Sequence, residues 1–141
     1  SMYPTLHDNA IGFSNILTYR LQGLKRFDIA IIYVPEKKEY LVKRVIGLPG
    51  ETIEYRQDHL LINGEAVEED FFDQDYKRSQ SANGYFTQDF GPVTLADDEY
   101  FMLGDNRPYS SDSRWYGPFK KEQIKAKDVV VLFPFQQIGV H

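Results

Sequence analysis

Apolar and β-branched residues fall in short runs along this chain, each closed by turn residues and each too short for a typical helix. Phe27–Val34 and Tyr40–Ile46 are the two clearest runs. The connection Pro35-Glu36-Lys37-Lys38-Glu39 is charged and begins with a residue that cannot donate to a sheet ladder, so the pair reads as a hairpin. Leu48-Pro49-Gly50 stops the second strand. Thr52–Arg56 and His59–Ile62 flank Gln57-Asp58, and Asn63-Gly64 is a strong turn signal, which predicts a second hairpin or meander. Glu99–Leu103 and Val129–Phe133 are further strands, the last followed by Pro134 at a sheet edge or an exit from the sheet. Helix is scarce: Ile16–Leu24 has near-helical spacing of Ile16, Leu17, Leu21 and Leu24, and Lys120–Ile124 suits a single turn. The class is mainly β.

From Glu65 to about Asp98 the composition turns acidic and aromatic, and Glu68-Glu69-Asp70 and Ser79-Gln80-Ser81-Ala82-Asn83-Gly84 break any period. This stretch reads as an excursion, residues 65–98, inserted into a β core made of 1–64 and 99–141. Its aromatics Phe71, Phe72, Tyr76, Tyr85, Phe86 and Phe90 suit a small core of its own. At 141 residues, with 42% hydrophobic side chains, the chain can bury a real core and is not disordered. Sixteen Lys and Arg against 21 Asp and Glu give a net charge of −5, which makes nucleic acid a poor partner. No cysteine is present, so disulfides, thiolate metal ligands and a cysteine nucleophile are excluded. No apolar run approaches the roughly 18–20 residues that span a bilayer.

Three segments are more particular than a sheet requires. In Ser1-Met2-Tyr3-Pro4-Thr5-Leu6, Pro4 fixes its own φ and restricts Tyr3, so Ser1 sits on a stiff, non-helical lead-in. In the second strand Lys43 and Arg44 interrupt an apolar run; alternation sends them to opposite faces, and if both faces are covered a cation must be buried. A buried lysine loses the solvation of its charged form and can serve as a neutral general base, the role it takes in Ser–Lys dyads. The third segment, Leu103 to Gly117, packs hydroxyls, carboxylates and two arginines after a strand. There Asp112 and Arg114 suit a charge-assisted pair, and Ser110 or Ser113 suits a hydrogen bond to a neutral lysine. The histidines His7, His59 and His141 stand in turn or terminal contexts and recommend no Ser–His–Asp triad.

Ser1-Met2-x-Pro4-Thr5-Leu6, Arg26-Phe27-Asp28-Ile29-Ala30, Lys43-Arg44-Val45-Ile46-Gly47-Leu48-Pro49-Gly50-Glu51 and Gly104-Asp105-Asn106-Arg107 with Ser110-x-Asp112-Ser113-Arg114 occur in that order. Together they resemble bacterial type I signal peptidase, the membrane-anchored serine protease of protein export. The resemblance implies Ser1 as nucleophile, Lys43 as general base, Ser110 as the hydroxyl orienting the lysine, and Asp112 with Arg114 as a structural ion pair. It implies Met2 and Val42 as lining of the apolar cleft for small residues at −1 and −3 of a signal peptide, hence cleavage after Ala-x-Ala. It further implies a mainly β fold with an antiparallel β core and an inserted smaller β region, no metal and no cofactor. Its expected partners are preprotein signal peptides and the membrane, and its expected place is the extracytoplasmic face of the bacterial cytoplasmic membrane. The opening at Ser1 without an initiator methionine fits a piece of a longer protein whose anchor precedes it. The chain departs from the family in having Phe27 where glycine is usual after the arginine of the second box. Two other readings remain: an N-terminal-nucleophile hydrolase using the Ser1 amine as base, and a non-catalytic binding or chaperone-like protein of pilus assembly with the same fold.

Overall fold

The computed structural model describes residues 2–5, 10–15, 23–81 and 84–134. Among these residues ten strands run in chain order: β1 (Ala10–Asn15), β2 (Ile29–Val34), β3 (Glu39–Gly47), β4 (Thr52–Arg56), β5 (His59–Ile62), β6 (Glu65–Val67), β7 (Phe90–Thr94), β8 (Glu99–Leu103), β9 (Phe119–Lys120) and β10 (Ile124–Pro134). Among the described residues two short helices, α1 (Gln74–Ser79) and α2 (Ser113–Tyr116), and the 3₁₀ turns Arg107–Tyr109 and Lys121–Gln123 join them. A six-stranded antiparallel sheet has the order β1-β10-β2-β3-β8-β9, and a four-stranded antiparallel sheet has the order β6-β5-β4-β7.

The hairpins follow from local chemistry. β2 and β3 pair from Ile29↔Arg44 to Val34↔Glu39, closed through the Pro35–Lys38 turn. The β4–β5 turn places Gln57 and Asp58 at φ 50° and 67°, and the β5–β6 turn places Asn63 and Gly64 at 52° and 85°, the left-handed geometry that makes two-residue hairpin turns match strand twist. The Thr52–Ile62 hairpin pairs within the smaller sheet, because the Pro49-Gly50 turn redirects the chain after β3 and β4 finds its partners in β5 and β7. β10 lies between β1 and β2, pairing with β2 over Ile124–Lys127 and with β1 as far as Pro134. Phe27 is not in a strand; it occupies a turn at φ 72°, and β2 begins at Ile29. The predicted turn at Lys120–Ile124 is the 3₁₀ turn Lys121–Gln123, whereas residues 16–22 of the helical candidate Ile16–Leu24 lie outside the described residues.

From Lys43 to Gly47, strand β3 is buried on both faces. Val45 packs with Ala30, Ile32, Val34, Met102, Phe119 and Ile124 on one side. On the other, Ile46 packs with Phe101 and Leu103 against Ile53, Tyr55, Leu60 and Ile62 of the smaller sheet. Gly47 permits that second contact, since a Cβ there would stand 2.5 Å from Ile53 Cδ1.

Candidate active site

Both cations of β3 are buried, Lys43 at 3% exposure and Arg44 at 7%. The doubly covered strand explains why: alternation gives each face one of them, and neither face opens to bulk water. Their fates differ. Arg44 donates from Nε and Nη2 to both carboxylate oxygens of Asp105 at 2.9 and 2.8 Å, donates from Nη1 to the Phe27 carbonyl at 3.0 Å, and lies 4.0 Å from the centre of the Phe71 ring. A guanidinium fork suits this fully compensated burial.

Among the described residues Lys43 has no carboxylate at bonding distance; its Nζ donates to Ser110 Oγ at 3.2 Å. Burial lowers its pKa from the usual 10.5 to about 8, the nearby Asp112 charge opposes that shift, and the Arg114 and Lys37 charges add to it. At neutral pH an appreciable fraction of this amine is therefore uncharged and able to accept a proton.

The loop after β8 is fixed by Asp112. Its carboxylate accepts from Gly104 N at 3.0 Å, from Arg114 N at 3.2 Å as the cap of α2, and from Arg114 Nε and Nη2 at 2.9 and 2.8 Å. Burial alone would raise the Asp112 pKa; the hydrogen bonds and charge of Arg114, then the Gly104 amide, outweigh it and hold the carboxyl below its ordinary value. Ser110, immediately before the α2 turn, is thereby presented to Lys43. Ser113 has another task, its Oγ accepting from Met102 N at 2.9 Å.

The N-terminal segment meets the same centre. Met2 is buried at 3%, Thr5 donates its hydroxyl to Asp105, and Asp105 is the partner of Arg44, the neighbour of Lys43. Ser1 itself lies outside the described residues, as do His7 and His141; His59 is exposed on β5. Val42 is half-buried on β3, next to Lys43. Among the described residues β8 pairs with β3 only from Arg44 to Gly47, leaving the β8-facing edge at residues 40–42 without a strand partner. A cleft of about 430 Å³ adjoins Ser110, lined also by Tyr85, Gln88, Pro108, Arg114 and Trp115. No group of three or more potential metal ligands occurs among the described residues.

The structure thus brings Lys43, Ser110, Asp112 and Arg114 together, and it buries Met2. Sequence reasoning did not assign three features: the Thr5–Asp105–Arg44 relay, the burial of Arg44 as well as Lys43, and the part played by Arg107. Arg107 is 2% exposed and donates to Glu69 Oε2 at 2.8 Å, Tyr55 Oη at 3.0 Å, Thr87 Oγ1 at 3.2 Å and the Gly104 carbonyl at 2.8 Å. Its own carbonyl accepts from Arg114 Nη2 at 3.0 Å. The run Gly104-Asp105-Asn106-Arg107 was visible as a motif, but its partners lie 20 to 100 positions away and no spacing announces them.

Residues 1–133 match the family model of signal peptidase, peptidase S26. A signal peptidase I of Bacillus amyloliquefaciens is 42% identical over 139 residues, covering 98% of this chain and 74% of that protein. Signal peptidase I S of Bacillus subtilis strain 168 is 41% identical over 140 residues, covering 98% of this chain and 75% of its own length. The crystal structure of a signal peptidase I from Enterococcus faecalis V583 superposes with a TM-score of 0.67 at 41% identity, over 74% of this chain and 96% of that one.

Proposed function

The chain belongs to the signal peptidase I family, peptidase S26, and is a hydrolase that removes signal peptides; on that premise we propose that Ser1 makes the cut with Lys43 as its general base. The observation that carries this reading is the buried Lys43 amine, its pKa lowered to about 8 and its Nζ held by Ser110 Oγ rather than by a carboxylate. A structural lysine gains nothing from such a site, whereas a proton acceptor needs one.

The neutral Nζ takes the Ser1 hydroxyl proton as Oγ bonds to the scissile carbonyl carbon. The tetrahedral adduct then collapses: the C–N bond breaks, Lys43 returns the proton to the departing amine of the mature protein, and the signal peptide remains as an ester on Ser1. Lys43 next takes a proton from water, whose oxygen attacks the ester carbonyl. Collapse of the second adduct returns the proton to Ser1 Oγ and frees the signal peptide as a carboxylate. Asp112, Arg114 and Ser110 hold the lysine in register and take no proton.

The free edge of β3 at residues 40–42 supports a seat for an extended peptide beside Lys43. Alternate side chains of an extended chain share a face, so −1 and −3 turn the same way, and shallow apolar lining from Met2 and Val42 would admit alanine-sized groups at both. Cleavage after Ala-x-Ala follows. Placement on the extracytoplasmic face of the bacterial cytoplasmic membrane, through an anchor ahead of Ser1, belongs to the same proposal. Exposed Trp115 and Tyr109 suit contact with a membrane interface.

Cleavage of an Ala-x-Ala peptide in detergent, read by mass, tests the mechanism. Ser1→Ala and Lys43→Ala are each expected to lose about a thousandfold or more in kcat/KM. In the unsubstituted chain kcat/KM is expected to climb with pH and level off above about 8, as the lysine becomes neutral. Loss in Ser1→Ala alone would place the base on the terminal amine. No cleavage by any version, including one extended ahead of Ser1, would favour a non-catalytic binder.

A further inference from the structure

The elements of the proposed site come from three distant parts of the chain: residues 2–5, β3, and the loop from Gly104 to Arg114. Helix α1 has no catalytic residue, yet it touches two of those three parts, residues 2–5 and the Gly104–Arg114 loop. The Tyr76 ring packs edge-on against Tyr3, with centroids 4.9 Å apart and planes at 70°. The same residue donates its hydroxyl to Asn106 Oδ1 at 3.0 Å. Tyr3 is two positions from Ser1, and Asn106 is four positions before Ser110. We propose that Tyr76 is a positioning residue, which sets the segment carrying Ser1 against the loop carrying Ser110 by packing on Tyr3 and hydrogen-bonding Asn106. This inference rests on the Ser1–Lys43 reading above.

The helix is anchored well enough to act as a fixed point. Asp73 caps it by accepting from Tyr76 N at 2.9 Å, and the Tyr76 ring also meets Phe86 edge-on at 6.4 Å. Lys77 Nζ lies 3.7 Å from Asp58, whose carboxylate in turn accepts from Phe86 N and Thr87 N at 3.1 and 3.0 Å. Beyond its last turn Gln80 accepts from Tyr109 Oη at 2.9 Å, a second bond to the same loop. The smaller sheet therefore holds α1, and α1 holds both arms of the site. Tyr3 is 37% exposed, so without the Tyr76 ring one side of it would face water and the lead-in to Ser1 would lose a wall. Displacing a nucleophile by about 1 Å costs roughly a hundredfold in rate, which gives even a distant brace leverage on turnover. Because Tyr76 braces the reacting groups rather than the substrate, its loss falls on kcat and not on KM.

The test compares kcat and KM for the Ala-x-Ala peptide in Tyr76→Phe, Tyr76→Leu, Asn106→Ala and the Tyr76→Phe/Asn106→Ala pair, with Ser1→Ala and Lys43→Ala as references. Tyr76→Phe and Asn106→Ala are each expected to lower kcat by about three- to tenfold with KM unchanged, the scale of one net hydrogen bond. The pair is expected to be no slower than the worse single variant, because both remove the same bond. Tyr76→Leu, which also removes the ring from Tyr3, is expected to be slower than Tyr76→Phe. A merely structural bond would lower the unfolding midpoint yet leave kcat intact at 25 °C, where the chain stays folded. A Tyr76→Phe kcat within twofold of the parent, or losses that multiply in the pair, overturns the inference while the reference variants stay dead. Activity surviving in Lys43→Ala instead overturns the reading beneath it.

Discussion

Lys43 shows how function is written into a single side chain at the expense of stability. In the unfolded chain it titrates near 10.5, and in the folded protein burial brings it to about 8, so between those values the unfolded state binds more protons. Stability contributed at this residue therefore rises with pH across that window, and below about pH 8 the fold bears the full cost of burying a cation. Lys43→Met is expected to abolish cleavage yet raise the unfolding free energy by about 2 kcal/mol at pH 7. Urea titrations at pH 7 and pH 10 check this: the advantage should shrink at the higher pH, and a variant no more stable than the parent at pH 7 would refute the account. Phe27 illustrates the opposite compensation. At Phe27 the backbone has φ 72°, which a Cβ makes costly by about 1 kcal/mol. Its ring meets Phe71 at 5.1 Å and its carbonyl accepts from Arg44, contacts that hold the residue in that geometry.

Among the elements, β3 does most to build the site. Its residues Leu41, Val42, Val45 and Ile46 make it a strand on any reading. The smaller sheet closes over the face that carries Arg44 and Ile46, while Lys43 lies on the opposite face, the one whose Val45 packs into the core of the larger sheet. The closeness of that packing is concentrated at Gly47, where an added methyl would meet Ile53 Cδ1 and Cγ1 at 2.5 and 2.6 Å and Leu95 Cδ1 at 2.9 Å. Gly47→Ala is expected to cost about 2 kcal/mol of stability, since Ile53 is fully buried and has nowhere to turn. Chemical denaturation measures it, and pairing with Ile53→Val should recover part of the loss. The β2–β3 and β4–β5 hairpins and the Asn63-Gly64 turn were legible because Pro35, Gln57-Asp58 and Asn63-Gly64 are local turn signals, whereas the three-residue β6 is too short to show a period. The helices α1 and α2 were not, since Gln74–Ser79 and Ser113–Tyr116 are too short for a period and depend on the caps Asp73 and Asp112.

Across the whole molecule the two sheets are joined by a polar tie as well as by a shared core. Arg107, from the loop of the larger sheet, is enclosed by Tyr55 of β4, Glu69 after β6 and Thr87 before β7, with the Phe72 ring 4.8 Å from its guanidinium carbon. Burial would lower the Arg107 pKa, but the Glu69 carboxylate and its other neighbours raise it, so the charge persists. Removing one partner of such a pair strands the other charge away from water. Glu69→Ala is expected to destabilise the fold by about 3 kcal/mol. It should also slow cleavage, because Arg107 donates to the Gly104 carbonyl and supports Arg114 through its own. A thermal midpoint unchanged in Glu69→Ala would mean the charge finds water after all.

The mainly β class, the principal hairpins and the residues proposed for chemistry could be read from the chain alone, because strand periodicity, turn residues and the four motifs are local patterns. Nothing local says which sheet the Thr52–Ile62 hairpin joins; that is settled by whichever apolar face it can cover. The depressed pKa of Lys43, the choice of Ser110 over Ser113, the Thr5–Asp105–Arg44 relay and the reach of Tyr76 all depend on what stands opposite a side chain in space. Desolvation and hydrogen-bond geometry are properties of packing between distant segments, and only the folded chain brings those segments together.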